Sequence, residues 1–202
     1  MQIDHLVYAG RDLIEALDMA TITLGVEAEP GGQHLGLGTR NYLVNLGNQA
    51  YLEIIGPDPD QPEPEQPRPF GIDELEDPRL VAWAVRTDDI DAGVAGARDA
   101  NVGLGEPIAM QRETTDGALL SWQLTPPSAG VIPFLIDWGP TRHPTESLPQ
   151  AAELVGLRLE TAERDEVKAA IKSLGVDVDV RWGFEERLAA TIDVQGSRVV
   201  LW

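Results

Sequence analysis

The chain of 202 residues contains no cysteine. Disulfides, thiolate nucleophiles, zinc–thiolate sites and iron–sulfur clusters are excluded together. Basic residues are scarce: 15 Lys and Arg stand against 34 Asp and Glu, a formal charge of −19. So negative a surface argues against nucleic acid or a membrane as partner and keeps an acidic protein well solvated. No apolar run approaches the roughly 20 residues that span a bilayer. Met1-Gln2-Ile3-Asp4-His5 carries neither a basic n-region nor an apolar h-region, so a cytoplasmic location is expected. There is no Walker loop, dinucleotide fingerprint, nucleophile elbow or His-Glu-x-x-His. Gly36-Leu37-Gly38 precedes a strand rather than a helix, and no nucleotide cofactor is expected.

What is present is a repeated order of elements. An apolar strand around Ile3–Ala9 leads to Asp12, an N-cap candidate for a helix from Leu13 to Leu24 that Gly25 closes. A Gly-rich loop follows, then strands Thr39–Leu46 and Ala50–Gly56 joined by a Gly47-Asn48 turn. The order returns with a strand at Leu80–Arg86, a helix opened by Asp88-Asp89-Ile90, and strands near Ile108–Arg112, Ala118–Thr125 and Ile132–Trp138, with Asp116-Gly117 as the turn. It returns again with a strand at Leu154–Glu160, a helix at Arg164–Leu174 and three closing strands to Trp202. Repetition on this scale organises the chain into units at 1–57, 80–139 and 151–202. Between them, 58–79 is proline-rich and 140–150 carries three more prolines, so both read as exposed, semi-rigid linkers.

Two ionisable residues interrupt apolar strands. His5 lies in Ile3-Asp4-His5-Leu6-Val7, sharing a face with Ile3 and Val7 by strand alternation, and Glu53 lies between Leu52 and Ile54. A carboxylate in that setting is costly to desolvate without a partner, a proton or a metal.

Three segments carry a family resemblance: Asp4-His5-Leu6-Val7-Tyr8, then His34-Leu35-Gly36-Leu37-Gly38-Thr39-Arg40-Asn41, then Tyr51-Leu52-Glu53-Ile54-Ile55. Together they resemble the glyoxalase-like branch of the vicinal oxygen chelate superfamily, over about residues 1 to 140. The resemblance implies an α+β fold of repeated βαβββ modules, forming curved mixed sheets around a cavity, with a third partial module at the C-terminus. It implies a small-molecule substrate or ligand and allows a homodimer. It places metal ligands at His5 and Glu53 for one divalent metal (Zn, Ni, Mn or Fe). The second unit departs from that pattern, because Ala82 and Ile136 align with His5 and Glu53, leaving an incomplete metal site.

Two functions follow from the resemblance. One is a small-molecule enzyme of lyase, isomerase or dioxygenase type with His5 and Glu53 as catalytic residues; the other is a sequestering protein of bleomycin-resistance type. His34, Thr39, Asn41, Arg86 and Trp122 are the candidate substrate-binding residues, with Arg86 an anchor for a substrate carboxylate. His143, before a proline in a linker, reads as a surface residue. The five tryptophans are expected in the core, with Trp122 and Trp138 also candidates for cavity walls.

Overall fold

Capping residues set the first helix where the sequence places it. The Asp12 carboxylate accepts from the backbone N–H groups of Ile14 (2.9 Å) and Glu15 (3.2 Å), starting α1 at Leu13–Leu24. Gly25, at φ 68°, ends it in the left-handed conformation that glycine adopts without strain. Before α1 runs β1 (Gln2–Ala9); after it come β2 (Glu29–His34), β3 (Thr39–Asn45) and β4 (Tyr51–Pro57). The computed structural model describes residues 1–113 and 119–202. It continues with β5 (Arg79–Arg86), α2 (Ile90–Asp99), β6 (Ile108–Glu113), β7 (Leu119–Leu124) and β8 (Phe134–Asp137). Then follow β9 (Glu153–Thr161), α3 (Arg164–Ser173), β10 (Asp179–Trp182), β11 (Arg187–Val194) and β12 (Ser197–Leu201). The expected Asp116-Gly117 turn lies outside the described residues.

The first two units share one sheet, in the order β2-β3-β4-β1-β5-β8-β7-β6. At its centre β1 and β5 run antiparallel, with Leu6 opposite Trp83. The rungs on either side mirror one another: His5–Ala84 matches Val7–Ala82, and Ile3–Val85 matches Tyr8–Leu80. A pseudo-twofold axis therefore passes through Leu6 and Trp83, relating His5 to Ala82 and Asp4 to Val81. The sheet curls until its end strands β2 and β6 meet, giving a nearly barrel-like mixed sheet with a concave interior.

Each face of the sheet has its own core. Leu6, Tyr8, Trp83 and Val85 pack outward beneath α1 and α2, whereas Val7, Ala9, Tyr51, Ile55, Ala84 and Ile136 line the inside. Trp83 is fully buried, with its indole donating to the Val131 carbonyl at 2.9 Å. Loss of so large a buried ring costs about 3–5 kcal/mol.

The third unit keeps the order strand, helix, strands but pairs them as β10-β9-β11-β12. The first two units instead set the fourth strand beside the first. It packs on the outer face, where Leu157, Leu159, Ile171 and Ile192 join the core around Trp83, and the Leu80 N–H donates to the Trp202 carbonyl at 2.8 Å. Two of its tryptophans depart from the expected core positions. Trp182 and Trp202 are exposed, the latter beneath the Arg158 guanidinium at 4.9 Å. They lie near the ends of strands in a four-stranded sheet with only one covered face.

The segment between β4 and β5 also differs from its expected exposure. Phe70, Ile72 and Leu75 are buried on the concave side, in and just after a kinked 3₁₀ segment at Pro69–Glu74. Polar groups hold this strap down. Arg68 donates to the Gly38 carbonyl (3.0 Å) and pairs with Asp73 and Glu63. Buried Asp58 accepts from Gln33 at 2.7 Å and Gln61 at 2.9 Å. Burial alone would raise the Asp58 pKa, but these hydrogen bonds and nearby Arg40 outweigh it and lower it below the ordinary carboxylate value. Composition marks the prolines, while the three apolar residues among them decide the packing.

Candidate active site

A bulge in β1 builds the site. The register against β5 slips between Ile3 and His5, leaving Asp4 as an extra residue, so Asp4 and His5 both serve the concave side while Ile3 packs outward. Strict alternation, which pairs Ile3 with His5, fails for this reason. The mirror slip in β5 leaves Val81 as the extra residue, so the second unit repeats the bulge with Val81 and Ala82 in place of the ionisable pair.

Asp4 is fully buried and accepts three hydrogen bonds. His5 Nδ1 lies 2.7 Å from Oδ1; Trp138 Nε1 (3.0 Å) and His143 Nε2 (3.1 Å) reach Oδ2. Burial opposes its charge, but the hydrogen bonds and charges of His143 and His5 together outweigh burial and hold its pKa far below the ordinary range. His143 is therefore not a surface residue. The Thr145 N–H donates to its Nδ1 (3.3 Å), an assignment that leaves its Nε2–H for Asp4. With Asp4 taking the Nδ1–H of His5, the Nε2 lone pair of His5 faces the cavity.

Opposite stands Glu53, its Oε2 3.9 Å from His5 Nε2. Its other oxygen accepts from Asn41 Nδ2 at 2.6 Å. The Asn41 amide is oriented by the Gly32 N–H, which donates to Oδ1 at 2.9 Å, and its Nδ2 also lies 3.4 Å from His34 Nε2. His34 Nδ1 in turn contacts Thr39 Oγ1 at 3.1 Å. His34, Thr39, Asn41, His5 and Glu53 are thus brought together. Tyr51 stacks on His5 with ring centres 4.7 Å apart, and Phe134 meets it edge-on at 5.4 Å.

The ladders identify each residue's counterpart across the pseudo-twofold. Val7 pairs with Glu53 as Ala84 pairs with Phe134, and the Gly10 N–H reaches the Ile55 carbonyl as Thr87 reaches Ile136. Glu53 therefore corresponds to Phe134. The sequence match of Glu53 to Ile136 is thus two residues out. Along the next rungs Asn41 corresponds to Leu124 and His34 to Met110. One half of the cavity is polar and the other apolar, position for position.

The cavity holds about 70 Å³ of free volume, is open on one side, and has Trp122, Trp138, Met110, Leu124 and Phe70 in its walls. Trp122 Nε1 is buried and has no hydrogen-bond partner among the described residues. Arg86 is not brought in. As the last residue of β5 it swings out to Gln49 (2.7 Å) in a separate surface depression beside Asp88 and Glu146. Of the residues that matter here, the sequence reading misses Asp4, Tyr51, Phe134 and His143. An Asp directly before a strand His was the one available signal.

A four-ligand chelate does not fit. The counterparts of His5 and Glu53 are Ala82 and Phe134, which offer no donor. Among the described residues His34 is the only further imidazole near Glu53, Nε2 to Oε1 3.7 Å, and the Asn41 amide group bonds to both where a shared cation would have to lie. Among the described residues, no group of three His, Asp or Glu side chains has metal-holding spacing.

Residues 3–175 match the family model of the glyoxalase-like domain. No curated protein matches the chain significantly. A crystal structure of a hypothetical protein from Staphylococcus aureus is similar over 98% of this chain and 84% of that one, with TM-score 0.65 and 17% identity, a likeness of fold. A Streptomyces coelicolor methylmalonyl-CoA epimerase variant complexed with 2-nitronate-propionyl-CoA aligns over 70% of this chain and 97% of its own, with TM-score 0.43 and 20% identity. The Mycobacterium tuberculosis methylmalonyl-CoA epimerase aligns over 69% and 88%, with TM-score 0.41 and 17% identity. Among the described residues, no helix is long and apolar enough to cross a membrane.

Proposed function

The chain belongs to the glyoxalase-like domain family, and within it we propose a small-molecule enzyme that moves protons, of isomerase or lyase type, with His5 and Glu53 as its catalytic residues. One observation carries this reading. His5 is held by a buried carboxylate on Nδ1 and presents Nε2 to the cavity, facing an oxygen of Glu53 3.9 Å away. An imidazole so oriented accepts a proton from a C–H beside a substrate carbonyl, leaving the electron pair in an enolate. Asp4 stabilises the imidazolium that forms, as a positioning residue. Glu53 is the second proton carrier, returning a proton to carbon or receiving one. Phe70 and the aromatic walls shield one side of the reacting atoms.

A second reading, sequestration without turnover, draws on the apolar half, where Ala82, Met110, Leu124 and Phe134 offer surface but no chemistry. Deuterium exchange from solvent separates the two. Small uncharged hydroxycarbonyl compounds incubated with the protein in D₂O should gain deuterium beside the carbonyl, detected by NMR, and Glu53→Gln and His5→Asn should abolish the exchange. Stoichiometric ligand binding with no exchange across such a panel would establish the binding reading instead.

A further inference from the structure

Two acceptors in the polar half of the cavity stand open. Among the described residues, His5 Nε2 and Glu53 Oε2 have no hydrogen-bond partner, and neither is sealed away as Trp122 Nε1 is. Glu53 is buried, and among the described residues no Lys or Arg lines the cavity. Asn41, the donor nearest to Glu53, is already committed to its Oε1 and to His34. An anionic ligand head placed here would meet a buried carboxylate, with no cation and no free donor among the described residues on that side. On the opposite side, the Trp122 indole N–H in the cavity wall is a buried donor with no partner among the described residues. Like charges at this range in a desolvated site repel strongly.

We propose that the ligand is a small, non-anionic molecule whose head, an amine or a hydroxyl, donates a hydrogen bond to Glu53 Oε2 beside His5, leaving His5 Nε2 to face the reacting carbon, with its apolar body on Phe134, Met110, Leu124 and Trp138. The pseudo-twofold fixes this orientation, since polar and apolar counterparts face one another across the cavity. The aromatic rings in the cavity walls favour a cationic head further. The free volume of about 70 Å³ favours a small ligand. The inference rests on the cavity being a ligand site.

Isobutylamine, isobutanol and isobutyrate share one apolar body and differ in the head, so they make a matched set. Each is titrated into the ¹⁵N-labelled protein near 0.15 M salt, and the His5 ring nitrogens and the Tyr51 and Trp138 signals are followed by NMR. The amine and the alcohol should move these resonances saturably, with the amine bound about 10-fold or more tighter than the acid. Glu53→Gln should shrink that preference to within about 3-fold. Isobutyrate binding as well as the amine would overturn the inference and leave the cavity standing as a ligand site. So would an amine preference unchanged in Glu53→Gln, which would mark attraction to the acidic surface alone. If no probe moves a cavity resonance at saturating concentration, the inference and the ligand-site reading fall together.

Discussion

His143 and Asp4, separated by 139 positions in the chain, meet with imidazole Nε2 3.1 Å from carboxylate Oδ2. The contact ties the linker after β8 to the bulge in β1. It also adds a third donor to the carboxylate that orients His5.

The depressed pKa of Asp4 sets the sign of an acid effect. A carboxylate held charged in the fold adds stability above its unfolded pKa of about 3.9, and that stability is lost as pH falls below it. Asp4→Asn keeps the shape and removes the charge. The stability gap between the parent and Asp4→Asn should be open at pH 7, where charge-assisted hydrogen bonds contribute about 1.5–3 kcal/mol each, and should narrow below about pH 4. Urea denaturation from pH 7 to 3 measures it. A gap constant over that range would show that the charge of Asp4 is not what the three donors stabilise.

What was legible in the sequence divides by the range of the interaction. The helix of Leu13–Leu24 is bounded by an Asp cap and a Gly stop, both local signals. His5 and Glu53 stand out because each breaks an apolar strand, and Thr39 and Asn41 share a face by simple alternation. Asp4 was hidden because its direction depends on a slip against β5, some 80 residues later in the chain. His143 was hidden because proline-flanked linkers usually face water, and its burial depends on a partner near the other terminus. Arg86 lies on the right strand, but its long side chain finds Gln49 instead of the cavity.

Gly31 supplies a test of how Glu53 is held. A Cβ there would run into the Asn41 amide oxygen, so the glycine is needed for the close approach of β2 to β3. Gly31→Ala should displace Asn41, lower stability by about 1–3 kcal/mol and reduce turnover. In an Asn41→Ala background, where the obstacle is gone, the same substitution should cost less. A double-mutant cycle reads the difference, and purely additive costs would show that Asn41 is not the group Gly31 accommodates.

Phe70 sits at φ 63°, a left-handed conformation that a side chain adopts at a cost of about 1 kcal/mol or more. Its ring is nonetheless buried against the cavity, 6.1 Å from that of Phe134. Phe70→Ala loses the ring and keeps the strain, whereas Phe70→Gly loses both. The glycine variant should therefore be the more stable of the two by about 1 kcal/mol, the reverse of the usual order inside regular structure. Both should admit bulkier ligands. Denaturation midpoints decide the first point, and an alanine variant at least as stable as the glycine variant would mean that the backbone there relaxes.

The donor set also predicts how the protein behaves toward metals. In a chelate, each ligand oxygen and nitrogen must turn its lone pair to the ion. Here the Asn41 amide nitrogen bonds to Glu53 Oε1 at 2.6 Å and lies 3.4 Å from His34 Nε2, and the Gly32 N–H fixes the amide so that it cannot turn its oxygen inward without breaking a bond. His5 and one oxygen of Glu53 remain, and two protein ligands hold a transition metal weakly compared with three or four. Protein purified without chelator or affinity tag should carry no stoichiometric zinc, nickel, manganese or iron by elemental analysis. EDTA should leave its melting temperature unchanged, and deuterium exchange by the protein should survive the same treatment. A near-stoichiometric metal that disappears in both His5→Ala and Glu53→Gln would reverse this conclusion. It would require Asn41 to have yielded its place, and Glu53 would then act as a ligand rather than as a proton carrier.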